Sequence, residues 1–167
     1  GFVRCLPLAA LLLLGGCATG GIAMQTTVHG GERVKVSFQK GSPEMQSEDG
    51  VQINEATFSM TPDKKVQHVF SFTDARKRPL TRVQVEDVSD EALIPLVDDA
   101  APKLSAAGQW RVEVAPAEWK DPRITWLATV SNTLRVYRFT LTFADGRRLV
   151  IHQGAYFPAP MKVLVRQ

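Results

Sequence analysis

Cysteine is nearly absent from this chain, which contains only Cys5 and Cys17 in 167 residues. Residues 18–167 therefore have no thiol. This absence excludes a disulfide, a thiolate zinc site, an iron–sulfur cluster and a cysteine nucleophile from that part of the chain. The domain must hold together through its hydrophobic core, and about 135 residues are enough for that.

A strong net charge and a long apolar run are also missing. The 20 Lys and Arg residues nearly balance the 17 Asp and Glu residues, and the formal net charge is +3. This small excess does not indicate nucleic-acid binding, although it favours contact with anionic lipids or glycans. The apolar run at residues 6–14 (LPLAALLLL) is much shorter than the roughly 20 residues of a membrane-spanning helix. Its length and the preceding Arg4 are typical of a secretory signal.

The residues that end this run, Leu14-Gly15-Gly16-Cys17, resemble the lipobox of bacterial lipoproteins. The resemblance implies cleavage before Cys17, diacylglycerol on its thiol and an acyl group on its new amino group. An ordinary secretory signal cut later, for instance after Ala23, is the alternative. Two or more acyl chains anchor a protein stably. Ala18 stands where Asp would imply inner-membrane retention, so the resemblance implies anchoring at the outer membrane, facing the periplasm.

This interpretation divides the chain into three segments. Residues 1–16 are predicted to be a lipoprotein signal peptide, residues 17–32 the lipidated cysteine with a flexible tether, and residues 33–167 a single β-sandwich domain. The tether is predicted because residues 18–32 (ATGGIAMQTTVHGGE) are small, glycine-rich and without an apolar period. No interior linker or fixed repeat divides the remainder.

From Arg33 onward, apolar residues alternate with polar ones, which is the period of a half-buried strand. The best short helical candidate, DEALIPLVDDA, is interrupted by Pro95. We expect an all-β fold: an antiparallel, Ig-like β-sandwich with no substantial helix apart from the signal segment. About nine strands are predicted, at residues 33–39, 51–60, 66–73, 81–88, 109–114, 124–130, 134–143, 147–153 and 161–165.

Two stretches resemble known families. HVFSFTDARKRPLTRVQVEDVSD (residues 68–90) resembles carboxypeptidase-regulatory and other immunoglobulin-like envelope modules, which implies a sandwich shape and no particular function. The Cys, Trp, Cys framework of true immunoglobulin domains is absent. Gly108-Gln109-Trp110 matches the Gly-x-Trp of lipocalins, but only 57 residues follow Trp110, too few for the rest of such a barrel.

The loop Ala144-Asp145-Gly146 predicts the register of the C-terminal hairpin. With three residues in the loop and Gly146 left-handed, Phe139 faces Ile151. A two-residue turn would set Phe139 opposite His152, so we choose the first register because it buries more apolar area. The same reasoning places three further pairs opposite each other: Leu141 with Leu149, Tyr137 with Trp126, and Phe139 with Ile124.

Motifs for catalysis and metal binding are missing. The histidines His29, His68 and His152 share no spacing typical of a metal site, and no cofactor is expected. No Gly-x-Ser-x-Gly elbow, Ser-x-x-Lys pair or glycine-rich phosphate loop occurs, so we do not predict an enzyme; a hydrolase with dispersed residues is the alternative. Acidic residues that could gather around calcium lack EF-hand spacing and are interpreted as solvated: Glu86, Asp87, Asp90, Glu91, Asp98 and Asp99.

The candidate binding residues fall into two basic groups and one aromatic residue. The first group occupies a loop and the strand after it: Arg76, Lys77, Arg78 and Arg82. The second lies on the outward face of the C-terminal strands: Arg138, Arg148 and His152. Both groups suit an acidic partner, lipid headgroups or an envelope polyanion, although a run of charges in a loop can serve solubility alone. Trp119, beside Asp121-Pro122, would be a contact for sugar or protein, or a loop anchor.

These features lead us to expect a non-enzymatic cell-envelope protein attached to the membrane through its N-terminal lipid. Its sandwich would be a binding or adaptor module whose partner is another envelope component, a protein or a glycan, and not nucleic acid. Edge strands could recruit a protein partner by strand addition. A carbohydrate- or polyanion-binding lipoprotein is the alternative.

Overall fold

The computed structural model describes residues 21–63, 65–89, 92–118 and 133–157. Within these ranges the chain forms β-strands and no helix, so no helix there is available to cross a membrane. The all-β class expected from the alternation is confirmed. The strands are β1 (Ile22–Thr27), β2 (Arg33–Gln39), β3 (Ser42–Pro43), β4 (Ser47–Glu48), β5 (Val51–Met60), β6 (Val66–Asp74), β7 (Leu80–Asp87), β8 (Ile94–Asp99), β9 (Gln109–Ala117), β10 (Thr133–Phe143) and β11 (Arg148–Phe157).

These strands form three antiparallel sheets, which we name by position. The cap sheet has the order β1-β2-β3, the front sheet β4-β5-β6-β9, and the back sheet β11-β10-β7-β8. The front and back sheets enclose the main core, where the rings of Phe70 and Phe139 meet edge to face at 5.7 Å between centroids. Alternation along β10 sends Phe139 and Leu141 into this core, and both are fully buried. The two sheets are the expected sandwich.

The cap sheet packs on the outer face of the back sheet and forms a second, smaller core. Val34 and Val36 of β2 are buried there against Val136 of β10. Gly154 of β11 permits the close approach, because a Cβ at that position would lie 2.5 Å from a methyl carbon of Val36. The amide of His29, in the turn after β1, donates to the carbonyl of Val88 at 2.8 Å.

Four strands lie where the sequence predicts none: the two-residue strands β3 and β4, and the longer strands β1 and β8. Residues 22–27, which the sequence assigns to a flexible tether, form β1 and pair with β2 from Ile22 opposite Phe38 to Thr27 opposite Arg33. Most β1 side chains are exposed, so packing imposes no apolar alternation on them. Strand β8 replaces the helical candidate and lies at the edge of the back sheet, where a proline such as Pro95 is tolerated because one side of the strand needs no amide.

The predicted register of the C-terminal hairpin is confirmed. Phe139 lies opposite Ile151 and Leu141 opposite Leu149, and Gly146 has a φ of +85°. The predicted pairing of β10 with residues 124–130 is wrong, because the other edge of β10 is occupied by β7, with Phe139 opposite Val85. Ile124 and Trp126, together with the predicted strand at residues 161–165, lie outside the described residues.

The buried carboxylate of Asp74 organises the loop that follows β6. It accepts hydrogen bonds from the amides of Arg76 at 3.1 Å and Arg78 at 2.9 Å. The Asp74 amide donates to the carbonyl of Gly108 at 2.9 Å, which joins this loop to the start of β9. Gly108 has a φ of +80°, and a Cβ there would collide with the carbonyl oxygen of Asp74.

We predict that Gly108→Ala destabilises the protein much more than Gly146→Ala. Both glycines have positive φ, but a Cβ at Gly146 meets no atom within 4 Å. Gly146→Ala should lower the free energy of unfolding by about 1 kcal/mol through backbone strain alone. Gly108→Ala should lower it by about 3 kcal/mol, because the collision adds to the strain. Urea unfolding measures both values, and equal losses would contradict the described packing at Gly108.

Candidate functional site

A polar groove of about 410 Å³ lies on the outer face of the back sheet, beside the end of the cap sheet. The alternation that buries Phe139 and Leu141 turns Arg138 and Thr140 of β10 to this outer face. Side chains from the two neighbouring strands and from the turn after β1 complete it. The lining residues are Glu32, Gln84, Glu86, Arg138, Thr140, Arg148 and Val150.

Strand pairing arranges the floor of the groove in rows. Thr140 lies between Gln84 of β7 and Val150 of β11, and the next row places Arg138 opposite Glu86. Adjacent strands are about 4.8 Å apart, so the side chains of one row are within hydrogen-bonding reach of a single small ligand. The rows present donors, acceptors and one exposed apolar side chain side by side.

The charges in the groove differ in how far they are neutralised. Arg138 donates to one carboxylate oxygen of Glu86 through Nε at 2.9 Å and Nη2 at 2.6 Å, and both side chains are largely buried. This pair is therefore held in one orientation. Arg148 is exposed, and among the described residues no carboxylate pairs with it. The groove thus offers one fixed ion pair and one available cation.

His152 lies where the groove meets the cap sheet. Its Nε2 is 3.8 Å from the nearer carboxylate oxygen of Glu32, and its side chain is 13% exposed. Burial lowers the pKa of His152; Glu32 acts against this shift and Arg138 adds to it. The imidazole is consequently neutral at pH 7, and its contact with Glu32 is not a full ion pair.

The sequence-predicted basic loop is engaged within the protein. Arg78 bonds to Asp74 at 2.9 Å and to Asp49 at 2.6 Å, and it is 12% exposed. Arg76 also pairs with Asp49, at 2.7 Å. The remaining members of the group are outside this network: Lys77 is exposed, and Arg82 pairs with Asp98 of β8 at 2.6 Å. The structure therefore places Arg138 and Arg148 in the groove, with His152 beside it opposite Arg138, and keeps the loop group apart from them.

A buried ion pair in the back sheet is a feature that our sequence analysis missed. Arg135 and Asp87 are 3% and 1% exposed, and both Nε and Nη2 of Arg135 lie 2.9 Å from one oxygen of Asp87. The other oxygen accepts bonds from the amide and hydroxyl of Ser89. The alternation in the sequence already indicated this pair. Arg135 is two residues before the core residue Tyr137, and Asp87 is two residues after the core residue Val85, so both fall at inward-facing positions of their strands.

The Ser89 hydroxyl is engaged on both sides. It donates to Asp87 and accepts the amide of Val136 at 2.8 Å. It thereby closes the end of β7 onto β10, a role that needs no histidine. In the part of the chain that the structure describes, the Ser89 hydroxyl contacts a carboxylate and a backbone amide. A serine nucleophile would instead contact the histidine that acts as its base.

The described acidic residues among those considered as calcium ligands each bond to a different side chain of the protein. Glu86, Asp87 and Asp98 pair with arginines of their own sheet, and Asp99 accepts the indole N–H of Trp110 at 2.9 Å. Within the described residues no group of three or more His, Cys, Asp or Glu side chains could hold a metal ion. Four of the residues considered for lipidation, calcium or ligand binding lie outside the described ranges: Cys17, Asp90, Glu91 and Trp119.

A second, apolar cleft of about 200 Å³ opens between β8 and the β6 and β9 strands of the front sheet. His68 is its buried polar residue and is packed among aromatic rings, with Phe58 at 5.1 Å and Tyr137 at 5.7 Å between centroids. Burial, with a smaller contribution from Arg135, lowers the His68 pKa to about 4. His68 therefore contributes a neutral ring at pH 7. The cleft is lined by Val66, His68, Ile94, Pro95, Leu96, Val114, Ala115, Ala117 and Glu118.

Comparison with known proteins gives no relative: no family model, no curated protein and no solved structure matches the chain.

We predict that His68 makes the protein less stable as the pH falls from 7 to 5. The pKa of His68 is about 4 in the folded protein and 6.5 as its ordinary value, so between these limits the unfolded chain binds the proton and the folded chain does not. This group should remove about 2 kcal/mol from the free energy of unfolding over that interval. Urea unfolding of wild type and His68→Phe at both pH values isolates the imidazole, because the carboxylates are common to the two proteins. Parallel pH dependences would contradict the prediction.

Proposed function

We propose that this protein is a lipid-anchored envelope protein that binds another envelope component through the polar groove on the outer face of its back sheet. The observation that carries the proposal is that the cap sheet covers only one end of this face. The uncovered end carries Arg138 and Thr140 on β10 and, on the neighbouring strand β11, Arg148, which lies opposite Thr142. The proposed location, at the outer membrane facing the periplasm, rests on the lipobox residues Leu14 to Cys17.

The groove is suited to a ligand rich in hydroxyl groups that also carries negative charge. The fixed Arg138–Glu86 pair offers a donor and an acceptor side by side, which suits neighbouring hydroxyl groups. Arg148 offers a planar guanidinium for a carboxylate or phosphate. Val150 is 41% exposed and can contact the C–H face of a sugar ring. We therefore favour an acidic envelope glycan as the ligand, and a protein with an acidic surface is the alternative.

The basic loop is a weaker candidate for docking. Arg76 and Arg78 already satisfy Asp49 and Asp74, and an incoming anion would have to compete with these carboxylates. Arg78 also stacks over the ring of Phe143 at 4.2 Å, which fixes its position further. The proposal concerns binding and includes no catalytic step.

We predict that the anchor depends on one of the two cysteines. Cys17→Ala should release the protein from the membrane fraction, because the acylated thiol is lost. Cys5→Ala is the matched control and should leave membrane partitioning unchanged, since Cys5 lies within the signal segment. Fractionation of cells that express each variant provides the measurement. Unchanged partitioning of Cys17→Ala would contradict the lipobox interpretation.

We predict that Arg148→Gln weakens binding to isolated acidic envelope glycan by roughly tenfold, the equivalent of about 1.4 kcal/mol for one charge-assisted contact. Arg147→Gln is the control, because Arg147 is adjacent in sequence and exposed but pairs with Asp145 outside the groove. Titration calorimetry with the purified glycan measures both affinities. Equal losses in the two variants would contradict the groove as the site. A titration of wild type that stays flat to millimolar glycan would contradict the glycan ligand.

A further inference from the structure

Three of the exposed large apolar side chains in the described residues lie together at one end of the cap sheet. Ile22 is 74% exposed, Met24 43% and Tyr156 39%. Ile22 and Met24 are two residues apart on β1 and so share a face. Ile22 lies opposite Phe38, whose ring is 5.4 Å from the ring of Tyr156. We name these three side chains the β1 patch.

The β1 patch lies very close along the chain to the cysteine that carries the proposed anchor. Four residue steps lead from Cys17 to Gly21, and a fully extended chain spans at most about 14 Å over that number. Gly21 is already in contact with β2, since a Cβ there would collide with the carbonyl oxygen of Phe38. The pairing of β1 with β2 therefore leaves almost no spacer. An acylated Cys17 cannot lie in the bilayer while the start of β1 stands far from it.

We infer that the β1 patch rests on the surface of the bilayer to which Cys17 is anchored. This inference depends on the proposed lipid anchor but not on the ligand of the groove. Ile22 and Met24 would enter the boundary between headgroups and acyl chains, which removes their apolar surface from water. Tyr156 has the amphipathic ring that is enriched at this depth. Lys40, exposed in the turn between β2 and β3, can extend its ammonium group to the phosphates.

A lipid surface fits this patch better than a protein groove does. The acyl chains already hold the patch beside the membrane in every molecule. Contact between the patch and the bilayer therefore costs little additional translational entropy. The far end of the back sheet is distant from the patch. From Tyr156 to the row of Leu149, β11 extends over seven residues, or about 24 Å, and the exposed loop residue Ala144 lies beyond that row.

The test uses a fluorescent label at residue 24 and a matched label at residue 144. Met24→Cys and Ala144→Cys each add one free thiol, because acylation blocks the thiol of Cys17 and Cys5 leaves with the signal. Both positions are exposed, so neither label displaces a core side chain. The lipidated protein is reconstituted into vesicles of phosphatidylethanolamine and phosphatidylglycerol, with and without lipids that carry a doxyl quencher near the headgroup. Quenching by the doxyl lipids should be several-fold stronger at residue 24 than at residue 144.

Three results would overturn the inference, and each is distinct. Suppose that residues 24 and 144 are quenched equally and intact mass shows acyl chains on Cys17. This result would agree with the lipid anchor and contradict the contact of the β1 patch with the bilayer. A label at residue 24 that is shielded from water but not quenched by lipid, in a particle twice the expected mass, would assign the patch to a second copy of the chain. A mass without acyl chains would overturn both the anchor and this inference.

Discussion

The packing of the cap sheet on the outer face of the back sheet is the constraint on which the rest of the structure depends. It requires Gly154, because a Cβ there would lie only 2.5 Å from a methyl carbon of Val36. It positions Glu32 at one wall of the groove, and it makes β1 part of the folded domain. The boundary of the groove and the short distance from Cys17 to the domain are both consequences of this one contact.

The outward-facing residues of β10 change from apolar to polar at the point where the cap sheet ends. The outward positions at the start of the strand, Leu134 and Val136, are apolar because the cap sheet packs on them. Farther along, the outward positions become Arg138 and Thr140, which line the groove. The inward positions are core residues from Tyr137 to Phe143. A strand that changes from two covered faces to one therefore marks the edge of the covering layer, and a ligand site can form at that edge.

Sequence reasoning succeeded where local chemistry decides the structure. Gly146 sets the hairpin loop, the loop sets the register, and the register puts Arg138, Arg148 and His152 on one outward face. It failed where the deciding contact is distant along the chain or leaves no apolar pattern. Glu86 reaches the groove only because β7 pairs with β10, and periodicity within a strand does not identify its neighbour. Strand β1 was predicted as tether because an exposed edge strand needs no buried face.

Hydrogen exchange of the lipidated protein over residues 21–40 tests the account most directly. If the cap sheet is part of the folded domain, the amides that bond β1 to β2 exchange only through opening of the sheet, and a fraction of them remains protected for as long as amides of β10 and β11. If residues 21–27 are a flexible tether, every amide in them exchanges at the rate of an unfolded chain. That second result would contradict the cap sheet, the short spacer and the contact of the β1 patch with the bilayer.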